Sequence, residues 1–267
     1  IKDIPKAEIH LHIEGLVSVD TIWHLIQKNN LKFEGSESKE QLKKRFATNS
    51  LEEFIDLFLN VIQASFVEEQ DLIPLIHDAQ QYFVRNGIVH SEVFFSPSKF
   101  LQTGFSFSHM MDILHAGSRK IFQECGITVN FIIDVSRSFG PENAEKNLDL
   151  ILENRRDSII GIGLGGSEIN GPAKDYTAVF ERAKSIGLKV VAHAGEDVGP
   201  ESIWDALNFL KAERIGHGIS AINDQKLMTY LIETQTPLEV CPTSNLFTKK
   251  FVKNINEHPI KEFVNKG

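Results

Sequence analysis

The fold is decided by the stretch KVVAHAGE, Lys189 to Glu196, which joins two patterns that occur together in parallel α/β proteins. Its apolar, β-branched first part predicts a buried strand from Lys189 to His193, and a glycine turn follows. Beyond the turn, Pro200 to Lys211 carries apolar residues at a spacing of three to four, which is typical of an amphipathic helix. A strand followed by such a helix is the repeating unit of a parallel sheet.

Six further apolar runs predict strands elsewhere in the chain: Ala7 to His12, Ile88 to Phe95, Thr128 to Val135, Ile159 to Leu164, Arg214 to His217 and Pro237 to Val240. Helical patterns lie between them, as in Asp175 to Ser185. This alternation predicts an α/β protein of the (β/α)8 TIM barrel class, for which roughly 250 residues are usual. Seven strands are one short of a closed barrel. We therefore expect the eighth strand to be absent from this sequence, which ends after a helix-like stretch from His258 to Asn265.

The longest insertion separates the first two predicted strands. It contains Thr21 to Asn29, a charged stretch around Lys39 to Arg45, and the apolar-periodic run Leu51 to Phe66. We expect that last run to form helices on one rim of the barrel. No low-complexity tract, linker or further repeat interrupts the chain. The sequence therefore predicts a single domain over residues 1–267, incomplete at its C-terminus.

The net charge and the cysteine content indicate which binding partners and which cellular compartment this protein is expected to have. The 28 basic residues against 36 acidic ones give a net charge of −8, which disfavours binding to nucleic acid. Cys125 and Cys241 lie too far apart to suggest a disulfide scaffold or a cysteine-rich zinc site. Neither the opening residues Ile1 to Pro5 nor any later stretch has the apolar run of a signal peptide or membrane span. We expect a cytoplasmic protein with a small-molecule ligand and no membrane partner; the sequence does not indicate an oligomeric state.

Histidines and a glutamate gather where predicted strands end, which is where barrels of this class place their active sites. His10 and His12 end the first strand and, two residues apart, point to the same face. His193 ends the fifth strand, Glu196 follows it across a turn, and His217 ends the sixth. Single histidines at such positions are usually packing residues, but a set of this kind indicates a metal site.

Zinc suits this set of side chains because it accepts neutral imidazole and, in catalytic sites, keeps a position open for water. A zinc-bound water has its pKa lowered to about 7. We expect His10, His12 and His193 to supply three ligands to one zinc ion. Glu196 is placed to give or take a proton beside the metal, and His217 to orient the attacking water and hold its proton.

The sequence resembles the adenosine deaminase family over essentially its whole length. The resemblance is carried by five segments: Pro5 to Gly15, Gly161 to Glu168, His193 to Glu196, Arg214 to Gly218 and Cys241 to Asn245. It implies one zinc ion, held by His10, His12 and His193, and hydrolytic deamination of adenosine or a similar nucleoside at C6. Glu196 would protonate the ring nitrogen N1, and His217 would position or deprotonate the water.

The resemblance also implies contacts to the substrate besides the metal ligand His12. Glu14 corresponds to the carboxylate that meets the sugar hydroxyl, and the Gly166 backbone to the contact at the purine N3 edge. Phe54 and Phe58, four residues apart, correspond to an apolar lid, although a place in the core of a rim helix explains them equally well. We therefore expect a purine nucleoside as the ligand.

Two departures from the family pattern leave questions open. An Asp-Asp pair that ends the eighth strand in the family does not occur here before Gly267. Ser167 replaces an aspartate common in adenosine deaminases, and the loop from Asp134 to Pro141 resembles that of 6-aminodeoxyfutalosine deaminases. Arg137 in that loop would then pair with a substrate carboxylate at the rim, although an exposed arginine after a strand is more often a solvated charge. Adenosine, adenine and 6-aminodeoxyfutalosine all remain open as substrates.

Rival classes have less support in the sequence. A two-metal amidohydrolase needs a bridging lysine on the fourth strand, and Ile159 to Gly166 contains none. A cytosine-type zinc deaminase needs a C-x-x-C motif, which is also absent. The non-enzymatic alternative is an inactive homologue that retains metal binding.

Overall fold

The computed structural model describes residues 4–267, which contain seven strands and twelve α-helices. Residues 1–3, part of the N-terminal segment considered above, lie outside the described part of the chain. Two compact units share the chain. Unit 1 comprises the described residues up to Ala47, then Phe54–Ile133 and Asp149–Ile160; unit 2 comprises Thr48–Glu53, Asp134–Leu148 and Gly161–Gly267.

Unit 1 is built on parallel strands whose apolar residues fill its core. The elements that lie wholly within it are β1 (Lys6–His12), α1 (Val19–Lys28), α2 (Lys39–Arg45), α4 (Leu72–Asn86), β2 (Ile88–Phe95), α5 (Ser98–Gln102) and α6 (Phe107–Cys125). Strand β1 pairs in parallel with β2, and β2 pairs in parallel with the start of β3 (Thr128–Ser136). Val93, Phe94 and Phe95 in β2 are fully buried.

Unit 2 also consists of parallel strands with helices between them. Its own elements are α8 (Thr177–Ser185), β5 (Lys189–Ala194), α9 (Pro200–Phe209), β6 (Arg214–His217), α10 (Gln225–Thr234), β7 (Leu238–Glu239), α11 (Pro242–Thr248) and α12 (Ile260–Lys266). Three further elements, which like β3 contain residues of both units, are α3 (Leu51–Leu57), α7 (Gly140–Glu153) and β4 (Ile159–Gly165). Within unit 2, β4 pairs with β5, β5 with β6 and β6 with β7, all in parallel.

The predicted fold class is confirmed. Parallel strands alternate with helices and pair with their neighbours in the chain, which is the connectivity of a (β/α)8 barrel. The strands lie where the sequence predicts them, except for β7. The prediction for β7 extends from Pro237 to Val240, whereas the strand in the structure comprises only Leu238–Glu239. No eighth strand occurs within residues 4–267. The prediction of a single domain stays a prediction.

The run from Leu51 to Phe66, which is predicted to form helices, is helical but irregular. Helix α3 ends at Leu57, and a π-helical turn (Phe58–Ile62) and a 3-10 turn (Gln63–Ser65) follow it. The buried Ser65 hydroxyl donates to the Val61 carbonyl at 2.6 Å. A side-chain bond of this kind competes with the backbone N–H for the carbonyl that a regular helix would use. Such π-helical turns are frequent at functional sites.

Across residues 4–267, no helix combines the length and the apolar character that crossing a membrane requires.

Candidate active site

Strand β1 of unit 1 presents the two predicted histidine ligands close together. The ring centroids of His10 and His12 are 6.1 Å apart. Phe94 stacks on His12 at 4.9 Å, and Phe58 contacts the same ring edge-on at 6.0 Å. Burial, and secondarily the neighbouring His10, lower the pKa of His12 to about 3. His12 is therefore a neutral imidazole at neutral pH, which is the form that binds a metal.

The two predicted lid residues differ in their exposure. Phe58 is 7% exposed and contacts the His12 ring, whereas Phe54 is 37% exposed. Their own rings lie 5.8 Å apart. Phe58 thus belongs partly to the core of unit 1, and the lid role of both residues stays a prediction.

Glu14 lies in a 3-10 turn, Ile13–Leu16, directly after β1, and its side chain is completely buried. Its Oε1 accepts hydrogen bonds from Gln63 Nε2 at 3.0 Å and from the Ser96 backbone N–H at 2.9 Å. Gln63 also donates to the Ser96 carbonyl at 2.9 Å. These bonds fix the position of the carboxylate within unit 1, and its predicted contact to a sugar hydroxyl stays a prediction.

His193 lies near the end of β5 in unit 2 and is buried. Its Nδ1 is 3.2 Å from the Leu164 carbonyl oxygen. Because a carbonyl only accepts, Nδ1 carries the proton, and the lone pair of the neutral ring is on Nε2. Metal-binding histidines are commonly oriented by such a bond to a carbonyl.

Glu196 is positioned by a tight loop after β5. Gly195 has φ +71°, and a Cβ there would lie 2.5 Å from Ile203 Cδ1, so only glycine fits. Glu168 accepts hydrogen bonds from the backbone N–H groups of Gly195, Glu196 and Asp197, each at 2.8 Å, and from the Ser202 hydroxyl. A single buried carboxylate thus holds the whole loop.

The surroundings of Glu196 favour its protonated form. Burial raises the pKa of Glu196 to about 8, and the negative charges of Glu168 and Asp197 add to the effect. A carboxyl group that keeps its proton at neutral pH is suited to act as a general acid.

His217 ends β6 in an unusual backbone conformation and lies beside Glu196. Its φ of +62° is left-handed, which costs a residue other than glycine about 1–3 kcal/mol unless its surroundings impose it. Its Nε2 lies 3.2 Å from Glu196 Oε2, and its Nδ1 lies 3.1 Å from Asn245 Nδ2. The ring centroids of His193 and His217 are 5.4 Å apart. Unit 2 therefore brings together His193, Glu196 and His217, as the sequence analysis expects.

Gly166 follows β4 with φ +86°. A Cβ at this position would lie 3.2 Å from Ser136 Oγ and 3.3 Å from the Arg137 backbone nitrogen. The left-handed conformation favours glycine here, and any side chain would also be in tight contact with these two atoms. The predicted contact of its backbone to a purine stays a prediction.

The expectation that Arg137 faces a substrate carboxylate at the rim is wrong. Its side chain is buried, and its guanidinium donates to the carbonyls of Gly171 (2.8 Å), Leu164 (3.2 Å), Gly166 (3.3 Å) and His193 (2.8 Å). These bonds tie together the carboxyl ends of β4 and β5 and the loop after β4. The residue stabilises the site instead of recognising a ligand.

Three residues of the site received no role from the sequence. Glu168 and Asn245 lie within the segments that resemble the family, while His258 lies outside them. All three are buried polar side chains. The only sequence signal for Glu168 and Asn245 is their position in those segments, and His258 has no such signal, because the partners of all three lie elsewhere in the sequence.

Comparison with known proteins agrees with the resemblance seen in the sequence. The sequence profile of the adenosine deaminase family matches residues 5–267. Adenine deaminase of Pseudomonas putida (strain W619) is 36% identical over 265 residues, which are 99% of this chain and 82% of that protein. Adenine deaminase of Acinetobacter baylyi is 35% identical over 270 residues, which are 100% of this chain and 79% of that protein.

Solved structures give the same result. The crystal structure of adenine deaminase from Arthrobacter aurescens matches with a TM-score of 0.92 and 29% identity, covering 98% of this chain and 79% of that one. The chain therefore belongs to the adenosine deaminase family and is an aminohydrolase that acts on adenine-type purines.

Proposed function

We propose that this enzyme is a zinc-dependent adenine deaminase, which replaces the 6-amino group of the purine by oxygen from water and releases ammonia. The observation that carries the proposal is Glu196, a buried carboxyl group beside His217 whose pKa is raised to about 8. Such a group retains a proton at neutral pH and can deliver it to a ring nitrogen.

The chemistry of the donor set fits zinc. His12 is neutral because burial lowers its pKa, and the bond from His193 Nδ1 to a carbonyl leaves the lone pair on Nε2. We assign His10, His12 and His193 as the ligands, with one zinc ion per chain. Bound zinc supplies a water of lowered pKa as the nucleophile.

The residues of the chain provide the remaining steps. Glu196 gives its proton to N1 of the ring, which makes C6 electrophilic, and His217 orients the water that adds there. As the water oxygen becomes the 6-oxo group, the water gives up two protons: one restores the proton of Glu196, and the other goes to the amino group, which departs as ammonia. His12, Phe54, Phe58 and the Gly166 backbone are the proposed contacts to adenine, whereas the contact of Glu14 to a sugar hydroxyl would arise only with a nucleoside.

Free adenine is the proposed substrate, ahead of the nucleoside favoured by the sequence analysis. Two relatives at 35–36% identity are named adenine deaminase. Glu14, the expected partner of a sugar, already accepts bonds from Gln63 and Ser96, a role that needs no sugar. The burial of Arg137 removes the support for a substrate bearing a carboxylate.

Ammonia release by the zinc-loaded protein tests this proposal. We expect kcat/KM to be highest for adenine, lower for adenosine and lowest for 6-aminodeoxyfutalosine. Glu196→Gln should retain zinc and lose about 10²–10⁴ in kcat, whereas the control Glu201→Gln, at an exposed position of α9, should match the wild type. A preference for adenosine would overturn the substrate assignment, and an active Glu196→Gln enzyme would overturn the assigned acid.

A further inference from the structure

A chain of hydrogen bonds connects the first turn of α12 to the proposed catalytic pair, Glu196 and His217. It begins at a backbone N–H, which can only donate. The backbone N–H of Ile260 donates to His258 Nδ1 at 3.2 Å. Since an N–H can only donate, His258 Nδ1 carries no proton. The proton of the neutral His258 ring must then be on Nε2.

The next bond fixes the orientation of the Asn245 amide. His258 Nε2 lies 3.1 Å from Asn245 Oδ1. If the amide were reversed, its NH₂ group would face an Nε2 that already carries the only proton of the ring. Asn245 therefore accepts from His258 through Oδ1 and turns its NH₂ group the other way.

That NH₂ group determines the tautomer of His217. Asn245 Nδ2 lies 3.1 Å from His217 Nδ1 and donates to it, so Nδ1 is unprotonated. The ring proton of His217 is then on Nε2, which lies 3.2 Å from Glu196 Oε2. The direction of each hydrogen bond thus fixes the direction of the next one. The four side chains are all buried: His258, Asn245, His217 and Glu196.

We propose that Asn245 and His258 are positioning residues that hold His217 as the tautomer with its proton on Nε2. This inference rests on the proposed function, in which His217 and Glu196 act on the substrate. It also assigns the protonated oxygen of Glu196: because His217 donates to Oε2, the acidic proton occupies Oε1, where it is available for transfer.

Two substitutions at His258 separate the positioning role from a purely structural one. His258→Gln places an amide NH₂ near the former Nε2 and preserves the donor to Asn245. His258→Asn places an amide oxygen near the former Nδ1, which preserves the bond to Ile260 but removes that donor. If His258 only stabilises the start of α12, the acceptor for the Ile260 N–H is what matters. If His258 positions Asn245, the donor to the Asn245 oxygen is what matters.

The direct readout is the ¹⁵N spectrum of the histidine rings in the zinc-loaded protein, in which protonated and unprotonated nitrogens are well separated. The His217 signals are assigned by their loss in His217→Gln. We expect a single tautomer protonated on Nε2 in the wild type and in His258→Gln, and a mixture of tautomers in His258→Asn. The kcat for adenine should fall about tenfold in His258→Asn with KM little changed, and stay within about threefold in His258→Gln.

A second position keeps the test decisive if His258→Asn fails to fold. Asn245→Asp has only acceptors, and we expect it to move the His217 proton to Nδ1. A wild-type protein protonated on Nδ1, or unchanged His217 signals in both the His258→Asn and Asn245→Asp variants, would overturn the inference. Absence of deamination in a wild type that shows the Nε2 tautomer would count against the proposed function alone.

Discussion

At the scale of single residues, the protonation of Glu196 affects both the proposed catalysis and the free energy of unfolding. The pKa of Glu196 is raised from 4.5 to about 8 in the folded chain, mainly by burial. The folded state therefore binds this proton more tightly than the unfolded state. The resulting stabilisation is complete below about pH 4.5 and is lost as the pH rises through about 8.

Glu196→Gln removes this pH dependence, because an amide does not titrate. We expect the variant to gain stability relative to the wild type as the pH is raised from 5 to 8, by at most about 1.4 kcal/mol per pH unit. Urea unfolding of both zinc-saturated proteins at each pH measures the difference. A gap that stays constant with pH would show that Glu196 is ionised throughout this range.

Glu168 holds the loop that carries Glu196 and adds a negative charge beside it. Glu168→Gln points an NH₂ group at backbone donors, and we expect it to cost about 1–3 kcal/mol of stability. Loss of the charge also lowers the pKa of Glu196, so the alkaline limit of deamination should move to lower pH. Ser202→Ala, which removes one of the four bonds, is the milder control. An unchanged pH profile in Glu168→Gln would argue against electrostatic coupling of the two carboxyl groups.

At the scale of elements, α4 and α6 of unit 1 approach so closely that one glycine is required. A Cβ on Gly117 of α6 would lie 2.5 Å from Ile76 Cδ1 and 2.7 Å from Ile76 Cγ2 on α4. Gly117 has an ordinary helical backbone, so the constraint comes from packing between the helices and not from its conformation.

Gly117→Ala sets two effects of opposite sign against each other. Alanine favours the helix by about 1 kcal/mol, but overpacking against Ile76 costs about 1–3 kcal/mol. We expect a net loss of stability in thermal or denaturant unfolding. The double variant Gly117→Ala with Ile76→Ala should lose less than the sum of the two single losses, because the shorter side chain makes room. Strict additivity would contradict the predicted contact.

The elements also show what a sequence can predict. The predicted bounds of β2 and β6 agree with the structure, because apolar, β-branched runs between polar turns are a strong local signal. The interruption after Leu57 has no comparable signal in the sequence, because Gln63, which lies in the turns that follow, bonds to Ser96, 33 residues further along the chain.

The same distinction applies to the site. His193 and Glu196 stand out because polar residues end an apolar strand. Glu168 and His258 act through partners that only folding brings near, and Arg137 was misplaced because its burial has no signature in the sequence. Local pattern thus identifies groups of catalytic type, whereas the residues that hold them require the structure.

At the scale of the whole molecule, metal binding and folding are linked, because a ligand that binds only the folded state stabilises it. We expect added zinc to raise the melting temperature of the wild type, and a chelator to reverse the effect. His193→Ala should lose both the shift and the zinc that survives dialysis. His24→Ala, an exposed histidine on α1, is the control and should retain both. A zinc content unchanged in His193→Ala would remove this residue from the ligand set.

The amide of Asn245 has one more consequence, which concerns proton transfer between the two histidines it joins. An amide joins two imidazoles by hydrogen bonds, but at neutral pH it does not pass a proton from one to the other. His217 and His258 are therefore insulated from each other as proton carriers, although the bonds between them are continuous. With its ring proton on Nε2, His217 can exchange protons only on the side of Glu196 and not along the bonds that lead toward α12. Proton transfer during turnover would therefore be confined to Glu196, His217 and the substrate, and would be complete only when ammonia and product depart.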